Sequence, residues 1–581
     1  MTLMLGKLSS AALFLFALMP AMSQTNSLPA SSQTIQQQVD KIFASLDKRD
    51  SPGCALAVLK HGTALYKRGY GMADLEHGIP ISPNTVFQIG SASKQFTAMA
   101  VILLAEEGKL SLEDSVRKYI PELPDYGPPI TLRHLMYHTS GLRNLFVLRQ
   151  LAGWRWGDVV DRNNDLDLIS RQRAPNFKPG DEHAYTNTGY FLLGEVVQRV
   201  SHQPFPEFMK GRIFDPLGMK DTVAAEGPEP LIHNRAMAYS SVPGGFKNNL
   251  TLSETLGDSN IYTTIEDMAR WDENFYQAKV GGPHGIAEMI TPGLLNNGEN
   301  GRYGGGLNVT THKGLPMIWH SGNSSYRAEY LRFPDQHFSV ICLCNSWLED
   351  PSDLARRVAD LYLADVERPE PAPVSAELAK AIPKIEESAR ASAVPLAAEK
   401  LQAFAGSYLI RDTLSVRRIF LDGSKLMAER GRGISSELVP TGEHSFLMLG
   451  VPERVEVTFS AGSAGTQQIA IAAPGRKPIV ADRVDPAVAA DMKPYEGNFW
   501  NSDVGEIVKI TGREGKLWLE TKRNAEFELQ PVAADIFKNQ WFGKITFNRD
   551  KQGSVTSFTM SNGEVRSLDL EKVIVRYDPA K

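Results

Sequence analysis

The sequence predicts an α+β fold, in which an antiparallel sheet is flanked by helices and is followed by two small antiparallel β-barrels. Three observations lead to this prediction. Strand-like segments lie near both ends of the first 366 residues, with helical patterns between them. After Val366 the chain becomes rich in Pro, Ala and Glu, which is typical of a linker. Beyond the linker, the chain repeats itself at a constant offset.

The sheet is predicted from two groups of strands. CALAVLKHGTALYKRGYG forms two strands around a turn at His61-Gly62. Between Gly304 and Asn345 the segments GGLNVTT, LPMIWHSG, AEYLRFP and HFSVICLCN have the same strand pattern. An amphipathic helix is predicted over residues 34–49, and a further helix over Ser91–Glu107, before Gly108. We therefore expect one sheet, assembled from N- and C-terminal strands and covered by the intervening helices.

The barrels are predicted from the repeat. Gly406-Ser407-Tyr408 matches Gly497-Asn498-Phe499, 91 residues later. The same offset joins Lys425-Leu426 with Lys516-Leu517, Leu438 with Leu529, Pro440 with Pro531, and Phe446 with Phe537. Both copies consist of short alternating segments with turn residues between them, which is typical of small antiparallel barrels. Two unrelated β domains would not share one offset.

The N-terminus is predicted to be a secretory signal peptide over residues 1–23. Lys7 precedes the apolar run Ala11–Leu18, and small residues surround a cleavage site near Ser23. The apolar run is too short to span a bilayer comfortably, so an uncleaved anchor is the less favoured alternative. No later segment resembles a transmembrane helix. We therefore expect a periplasmic or secreted protein, without stable membrane insertion after signal removal.

Composition and cysteine content exclude several functions. The chain is 42% hydrophobic and 22% charged, as expected for a globular protein. Its net charge of -5 arises from mixed signs, so no nucleic-acid partner is expected. Three cysteines (Cys54, Cys342 and Cys344) are too few for a disulfide framework, and no histidine cluster suggests zinc. We interpret all three as buried packing thiols, and we expect neither a metal nor a cofactor.

The first candidate catalytic pair is Ser91 and Lys94. Residues three apart share a helix face, so the lysine can lie beside the serine hydroxyl. An apolar helix around them would disfavour the charged ammonium and make the lysine a plausible base. Alone this pattern is weak, because Ser45 and Lys48 also fit it and there indicate only a surface helix.

Two further sequence motifs favour a catalytic role for Ser91 and Lys94. In Tyr185-Thr186-Asn187, a phenol whose pKa is lowered by a nearby lysine could relay a proton, and the Asn187 amide could hold a substrate carbonyl. A tyrosine near a turn followed by an Asn cap is the structural alternative.

The third element is His320-Ser321-Gly322. Glycine at a strand edge permits close approach of a substrate backbone, and His320 would point into the site. The Asn323 N–H could join the Ser91 N–H in an oxyanion hole. The competing match, His312-Lys313-Gly314, fits a hairpin turn better.

In their order and with their flanks, these elements resemble the serine hydrolase family that includes class C β-lactamases, low-molecular-mass penicillin-binding proteins, D-aminopeptidases and related esterases. The resemblance runs from about Val39 to Asp365. It is carried by FQIGSASKQFTA, ITLRHLMYHTSGL, FKPGDEHAYTNTGY, IYTTIEDMARW and WHSG. It implies an antiparallel sheet flanked by helices with an all-α lobe between its halves. It also implies acylation of Ser91, a base system of Lys94 and Tyr185, and substrate binding by Asn187, His320, Gly322 and Asn323.

The sequence departs from this family pattern at His320, which stands where β-lactamases have the lysine of Lys-Thr-Gly. That lysine helps to receive a substrate carboxylate, and histidine is a weaker, pH-dependent cation. A His-x-Gly element followed by two barrels is most similar to D-aminopeptidases, in which a loop of the last barrel meets the substrate amine. The matching connection here, Lys538 to Lys544, has no carboxylate.

The sequence therefore predicts an exported hydrolase that forms an acyl-enzyme on a small peptide, amide or ester, with D-residue peptides as the first choice. An esterase, a D,D-carboxypeptidase or β-lactamase of the same fold, and a non-catalytic cell-wall-fragment binding protein are the alternatives. The predicted domains follow the signal peptide. They are a catalytic serine hydrolase domain (24–366), a linker with helix (367–398), and barrels over 399–485 and 486–581.

Overall fold

The computed structural model describes residues 30–155, 157–227, 230–249, 256–367, 374–410, 416–431, 434–451, 453–462, 466–474, 478–484, 491–523 and 525–574. The predicted signal peptide lies outside these ranges, so it stays a prediction.

The first domain is built on a six-stranded antiparallel sheet. Its strands, together with those of three small additional sheets, are β1 (Cys54–Lys60), β2 (Thr63–Tyr70), β3 (Met72–Asp74), β4 (Ile79–Pro80), β5 (Phe87–Gln88), β6 (Val223–Ala224), β7 (Tyr239–Val242), β8 (Gly245–Asn248), β9 (Ile261–Thr263), β10 (Asn308–His312), β11 (Leu315–Asn323), β12 (Arg327–Phe333) and β13 (Phe338–Cys344). The order β10-β11-β12-β13-β1-β2 joins the N- and C-terminal strand groups where β1 pairs with β13. The predicted assembly of one sheet from two separate pieces of chain is confirmed.

The helices lie between and around these strands. They are α1 (Ala30–Ile42), α2 (Lys94–Glu106), α3 (Leu132–Met136), α4 (Leu145–Leu151), α5 (Arg162–Ser170), α6 (Asn187–Ser201), α7 (Phe205–Met209), α8 (Asp215–Leu217), α9 (Ile265–Gln277), α10 (Gly282–Ile290) and α11 (Pro351–Tyr362). The helix predicted over 34–49 instead ends at Ile42, because the chain turns there and Phe43 stacks on Tyr70 of β2. The helix predicted over Ser91–Glu107 begins with a 3-10 turn over Gly90–Ser93.

Both faces of the sheet are covered. On one face β1 and β13 pack against α9, within the large buried cluster that also contains α2 and α6. On the other face, a second buried cluster is formed with α1 and α11. Every residue of β13 is buried as a result, which explains its continuous apolar sequence.

The interpretation of the cysteines as three packing thiols is wrong for two of them. Cys54 and Cys344 form a disulfide. They face each other across the β1–β13 pair, a register that brings together residues 290 positions apart. Only Cys342 keeps a free, buried thiol among these three. The pairing depends on which strands are neighbours, and spacing along the chain does not reveal that.

A helical connection leads to the barrels. It contains α12 (Val374–Ala391) and α13 (Ala398–Phe404). The first barrel closes through β14 (Gly406–Ile410), β15 (Val416–Asp422), β16 (Lys425–Gly431), β17 (Ile434–Pro440), β18 (Ser445–Met448), β19 (Val455–Ala461), β20 (Gln467–Ala472) and β21 (Ile479–Val484). The second closes through β22 (Gly497–Asn501), β23 (Glu506–Arg513), β24 (Lys516–Glu520), β25 (Glu526–Ala533), β26 (Ile536–Asn539), β27 (Gly543–Arg549), β28 (Val555–Ser561) and β29 (Leu568–Val573). The two predicted antiparallel barrels are confirmed.

The apolar interiors of the two barrels differ in what they contact. The apolar interior of the first barrel forms a cluster of its own, and α12 packs on its outside through Ala389. The apolar interior of the second barrel is continuous with the large core cluster of the first domain. Within the described residues, no helix is both long and apolar enough to cross a membrane.

Candidate functional site

Ser91 lies in the 3-10 turn that links β5 to α2. Two hydrogen bonds hold the turn on β9. Ile89 N–H donates to the Ile261 carbonyl at 3.0 Å, and the Ser93 hydroxyl accepts from Ile261 N–H at 3.1 Å. Gly90 has a φ of 50° at this turn, a left-handed conformation that favours glycine. These contacts fix the start of α2, and they leave the Ser91 side chain at the edge of a pocket.

Lys94 is fully buried one turn later. Its Nζ donates to Ser91 Oγ at 3.1 Å, to Asn187 Oδ1 at 2.8 Å and to the Asp258 carbonyl at 3.0 Å. These three acceptors match the three donors of an ammonium group. Burial lowers the pKa of Lys94 to about 8, against an opposing influence from the Asp258 carboxylate. The neutral amine is therefore accessible near physiological pH.

Tyr185 and Asn187 lie where the chain enters α6. The Tyr185 ring stands 4.9 Å from Lys94 Nζ and 4.3 Å from the ring of His138. The expectation of a lowered tyrosine pKa is wrong. Burial raises the pKa of Tyr185 well above its usual value, although the neighbouring Ser91 side chain opposes the shift. Tyr185 is consequently a neutral phenol, which can donate a proton but does not supply a ready phenolate.

His320 points into the same site, as expected. Its Nε2 lies 2.9 Å from the Tyr303 hydroxyl, and its Nδ1 lies 2.6 Å from the Ser321 carbonyl. Burial and repulsion by Lys94 lower the pKa of His320 to about 3. His320 is therefore neutral at physiological pH, which corrects the expectation of a pH-dependent cation.

Gly322 and Asn323 approach the serine turn from β11. The sheet neighbour β10 pairs only with Leu315–Trp319, so the end of β11 faces the turn. A Cβ at Gly322 would lie 1.7 Å from the Ile89 carbonyl oxygen. This glycine is required by the close approach of the chain to itself, which differs from the predicted approach of a substrate. The same crossing brings the Asn323 nitrogen 2.9 Å from an ideal Cβ at Gly90.

The competing patterns are not sites. Ser45 is exposed beyond the end of α1 and donates to Glu349 at 3.1 Å. Lys313 and Gly314 form the β10–β11 hairpin turn with positive φ angles. The interpretation of the hairpin turn is confirmed, whereas Ser45 is exposed as expected but lies beyond the end of the helix in which it was expected.

Sequence reasoning missed four polar residues of the site, which are Asn144, Asp258, Tyr303 and Glu564. Asn144 precedes α4 and accepts from Phe146 N–H as its N-cap. Asp258 supplies the carbonyl that contacts Lys94, and Tyr303 contacts His320. Glu564 belongs to the second barrel, and Asn144 Nδ2 donates to its carboxylate at 2.6 Å. An Asn before the helical pattern was a usable capping signal, but no sequence signal points to Glu564.

The pocket beside Ser91 combines an apolar wall of Phe146, Trp154 and Val160 with polar side chains. Its walls contain Gln88, Phe146, Arg149, Gln150, Trp154, Arg155, Val160, Ser259, Asn323 and Ser324. Both arginines contact carboxylates. Arg149 forms a buried bidentate pair with Asp165, and Arg155 pairs with Asp158 at 3.1 Å. The pocket therefore suits an uncharged group of moderate size.

Three loops of the second barrel dock on this region, those that follow β22, β24 and β28. In an antiparallel barrel with consecutive strands, alternate connections lie at the same end. The β22–β23 loop places Asp503 2.8 Å from Arg143, where both side chains are buried. The β24–β25 loop stacks Arg523 on Trp154 at 3.8 Å. The β26–β27 and β28–β29 loops are joined by a 2.8 Å bond from Asn562 to Trp541. Main-domain and barrel residues thus form one structural unit.

Comparison with known proteins agrees with this fold. A family model described as Beta-lactamase matches residues 33–364. A second model, described as a domain of unknown function, matches residues 481–573 and so covers the second barrel.

Two relatives illustrate the similarity. Penicillin-binding protein 4* of Bacillus subtilis (strain 168) is 27% identical over 452 residues, covering 74% of this chain and 96% of that protein. A D-aminopeptidase of Gluconobacter oxydans (strain 621H) is 27% identical over 317 residues, covering 54% of this chain and 60% of that protein. The octameric penicillin-binding protein homologue from Pyrococcus abyssi has 23% identity and a TM-score of 0.50, covering 77% of this chain and 99% of that chain. This last likeness shows the fold alone.

Proposed function

Because the chain belongs to the Beta-lactamase family of serine hydrolases, we propose that it cleaves a small amide or ester through an acyl-enzyme on Ser91. The observation that carries the proposal is the buried amine of Lys94, 3.1 Å from the Ser91 hydroxyl, with its pKa lowered to about 8. A serine needs such a neighbouring base to become a nucleophile.

In the proposed reaction, neutral Lys94 accepts the Ser91 proton as Ser91 Oγ attacks the substrate carbonyl. The Asn323 and Ser91 N–H groups stabilise the developing oxyanion. Tyr185, which remains a neutral phenol, donates a proton to the leaving group and recovers one through Lys94. Asn187 holds Lys94 at 2.8 Å and offers its amide to the substrate. Water then hydrolyses the acyl-enzyme by the same proton transfers in reverse.

The substrate is proposed to lack a carboxylate at the position that β-lactams occupy. A neutral His320 gives such a group no counter-charge, and its Nδ1 is already engaged with the Ser321 carbonyl. This argues against β-lactams and peptides ending in a free D-Ala carboxylate. Aminopeptidase-like cleavage of small peptides with D-residues remains the first choice.

An esterase is the second candidate, and one observation favours it. A substrate with a free ammonium group needs an anionic partner, yet none of the described residues lining the pocket carries a carboxylate. The apolar wall of Phe146, Trp154 and Val160 suits the acyl chain of a neutral ester.

The test is covalent labelling followed by mass spectrometry. The protein is incubated separately with a fluorophosphonate, a penicillin, D- and L-alanyl p-nitroanilides, and p-nitrophenyl esters. We expect fluorophosphonate adducts on Ser91 and little acylation by penicillin. Turnover of the D-alanyl anilide supports the peptidase, whereas turnover of esters alone supports the esterase.

Ser45→Ala is the matched control for Ser91→Ala, because both serines precede a lysine by three residues. We expect Ser91→Ala to lose at least about a thousandfold in kcat, and Ser45→Ala to retain the activity of the unaltered protein. Unchanged hydrolysis by Ser91→Ala would refute Ser91 as the nucleophile, and the absence of both hydrolysis and labelling in the unaltered protein would favour the non-catalytic binding protein.

We also propose export to the periplasm or the medium. The Cys54–Cys344 disulfide supports it, because disulfides persist in oxidising compartments. The predicted signal peptide leads to the same expectation. Fractionation of producing cells with N-terminal sequencing tests this, and an intact N-terminus in the cytoplasmic fraction would contradict it.

A further inference from the structure

Glu564 occupies a rigid loop of the second barrel. The Asn562 side chain accepts from the Glu564 and Val565 N–H groups at 2.8 and 2.6 Å, which forms a closed turn at the end of β28. The Glu564 carbonyl accepts from Asn144 N–H at 3.0 Å and from Asn176 Nδ2 at 2.9 Å. The backbone of the loop is therefore held before its carboxylate makes any contact.

A chain of hydrogen bonds leads from this carboxylate to Ser91. Asn144 Nδ2 donates to Glu564 Oε2 at 2.6 Å, and Asn187 Nδ2 donates to Asn144 Oδ1 at 3.4 Å. Lys94 Nζ donates in turn to Asn187 Oδ1 at 2.8 Å and to Ser91 Oγ at 3.1 Å. In three of these hydrogen bonds the donor lies on the Ser91 side and the acceptor on the Glu564 side. In the fourth, Lys94 donates to Ser91.

Two contacts orient the Asn144 amide: the Glu564 carboxylate accepts from its Nδ2, and Phe146 N–H donates to its Oδ1. An ionised carboxylate only accepts hydrogen bonds, so it selects the Nδ2 end of Asn144. Oδ1 of Asn144 then faces the amide of Asn187, and Oδ1 of Asn187 then faces Lys94. If Asn144 turned over, its NH₂ would meet the NH₂ of Asn187. Asn187 would then have to rotate to regain an acceptor, and this rotation would remove its Oδ1 from Lys94.

From this chain we infer that Glu564 is a positioning residue, which orients Asn144 and Asn187 and thereby holds Lys94 against Ser91. The inference rests on the proposed function of Ser91. It assigns part of the active site to the second barrel, outside the region that the Beta-lactamase family model matches.

Glu564→Ala and Glu564→Gln test the inference in the full-length protein. The alanine variant leaves Asn144 Nδ2 without its acceptor, so we expect kcat and the rate of Ser91 labelling by fluorophosphonate to fall about tenfold, with KM changing less. The glutamine variant can still accept through Oε1, so we expect its kcat to lie within about threefold of the unaltered protein.

Arg566→Ala separates positioning from docking. Arg566 lies in the same loop and pairs with Glu182 at 3.0 Å, without a contact to the chain of amides. We expect this variant to keep its labelling rate. Equal losses in Arg566→Ala and Glu564→Ala, or an alanine variant that labels as fast as the unaltered protein, would overturn the inference.

The same experiment distinguishes a failure of the proposed function. If the unaltered protein is not labelled on Ser91, the proposed nucleophile is wrong. If it is labelled and Glu564→Ala is labelled equally fast, only the positioning role is wrong. Should Glu564→Ala fail to fold, a tenfold loss in Glu564→Gln, which preserves size, would overturn the inference by itself.

Discussion

The two barrels have the same plan and different surroundings. Each closes with eight antiparallel strands, and each carries an equivalent Lys–Glu ion pair at the 91-residue offset. Lys425 lies 3.1 Å from Glu437 in the first barrel, and Lys516 lies 3.0 Å from Glu528 in the second. The second barrel, however, shares its buried core with the main domain, whereas the first keeps a separate core.

The difference lies in the loops at one end of the second barrel. Its strands repeat those of the first barrel, but Ala473 stands at the offset position of Glu564. A barrel scaffold can therefore be duplicated while only one copy acquires the side chains that contact an active site. The proposed positioning role of Glu564 makes the second barrel part of the active site.

Removal of the buried carboxylate of Asp503 should have the largest effect. Asp503→Ala leaves Arg143 buried without a counter-charge, because both side chains are less than 7% exposed. We expect a loss of about 3–5 kcal/mol in the free energy of unfolding, measured by urea denaturation. Glu437→Ala in the first barrel removes the pairs with Lys425 and Arg390, whose cationic side chains are more than half exposed, and it should cost far less. Similar losses in both variants would remove the distinction between the barrels.

The pH dependence of kcat/KM should also differ between variants of the two barrels. Only neutral Lys94 can accept the serine proton, so kcat/KM should rise with pH through about 8, where the folded-state pKa lies. Below that midpoint, activity should fall about tenfold per pH unit. Burial causes the lowered pKa, so loosening the second barrel by Asp503→Ala should admit water and move the midpoint upward. The midpoint should stay near 8 in Glu437→Ala, and an equal shift in both variants would contradict the account.

Arg523 should affect substrate binding more than stability. It stacks on Trp154 at 3.8 Å and pairs with Asp158 at 2.8 Å, so it supports the pocket wall from the barrel side. We expect Arg523→Ala to raise KM for bulky apolar acyl groups about three- to tenfold, with a smaller effect on acetyl substrates. Arg418→Ala removes a similar stack on Phe420 in the first barrel, and steady-state kinetics should show no change in its KM.

The smallest effects are expected from the equivalent surface pairs. Lys425→Ala and Lys516→Ala each break one exposed ion pair, which contributes about 0–1 kcal/mol. Both variants should unfold within that margin of the unaltered protein and retain full kcat/KM. A selective loss of activity in Lys516→Ala would show that the second barrel acts through its overall charge, and the loop contacts would lose their special role.

Much of the main-domain site could be predicted from the sequence, because its residues lie in local patterns with a chemical meaning. Ser91 and Lys94 are one helical turn apart, and the structure brings Tyr185, Asn187 and His320 to them. The burial of these side chains, and the pKa shifts that follow from it, could not be predicted in the same way. Burial raises the Tyr185 pKa and lowers the His320 pKa, and both effects depend on side chains distant in sequence.

Contacts between distant parts of the chain could not be predicted from the sequence either. The Cys54–Cys344 disulfide follows from the pairing of β1 with β13, and Glu564 follows from the docking of the second barrel. Neither depends on a local period or motif. The repeat predicted two similar barrels, but it could not indicate which one contacts the site.

A double-mutant cycle between the second barrel and the main domain tests whether Glu564 belongs to the active site. The values of kcat/KM are measured for Asn144→Ala, Glu564→Ala and the double variant, with Glu437→Ala replacing Glu564→Ala in a parallel cycle. We expect a coupling free energy of about 1 kcal/mol or more between Asn144 and Glu564, and additive effects in the parallel cycle. Additive effects in both cycles would contradict the assignment of the second barrel to the active site.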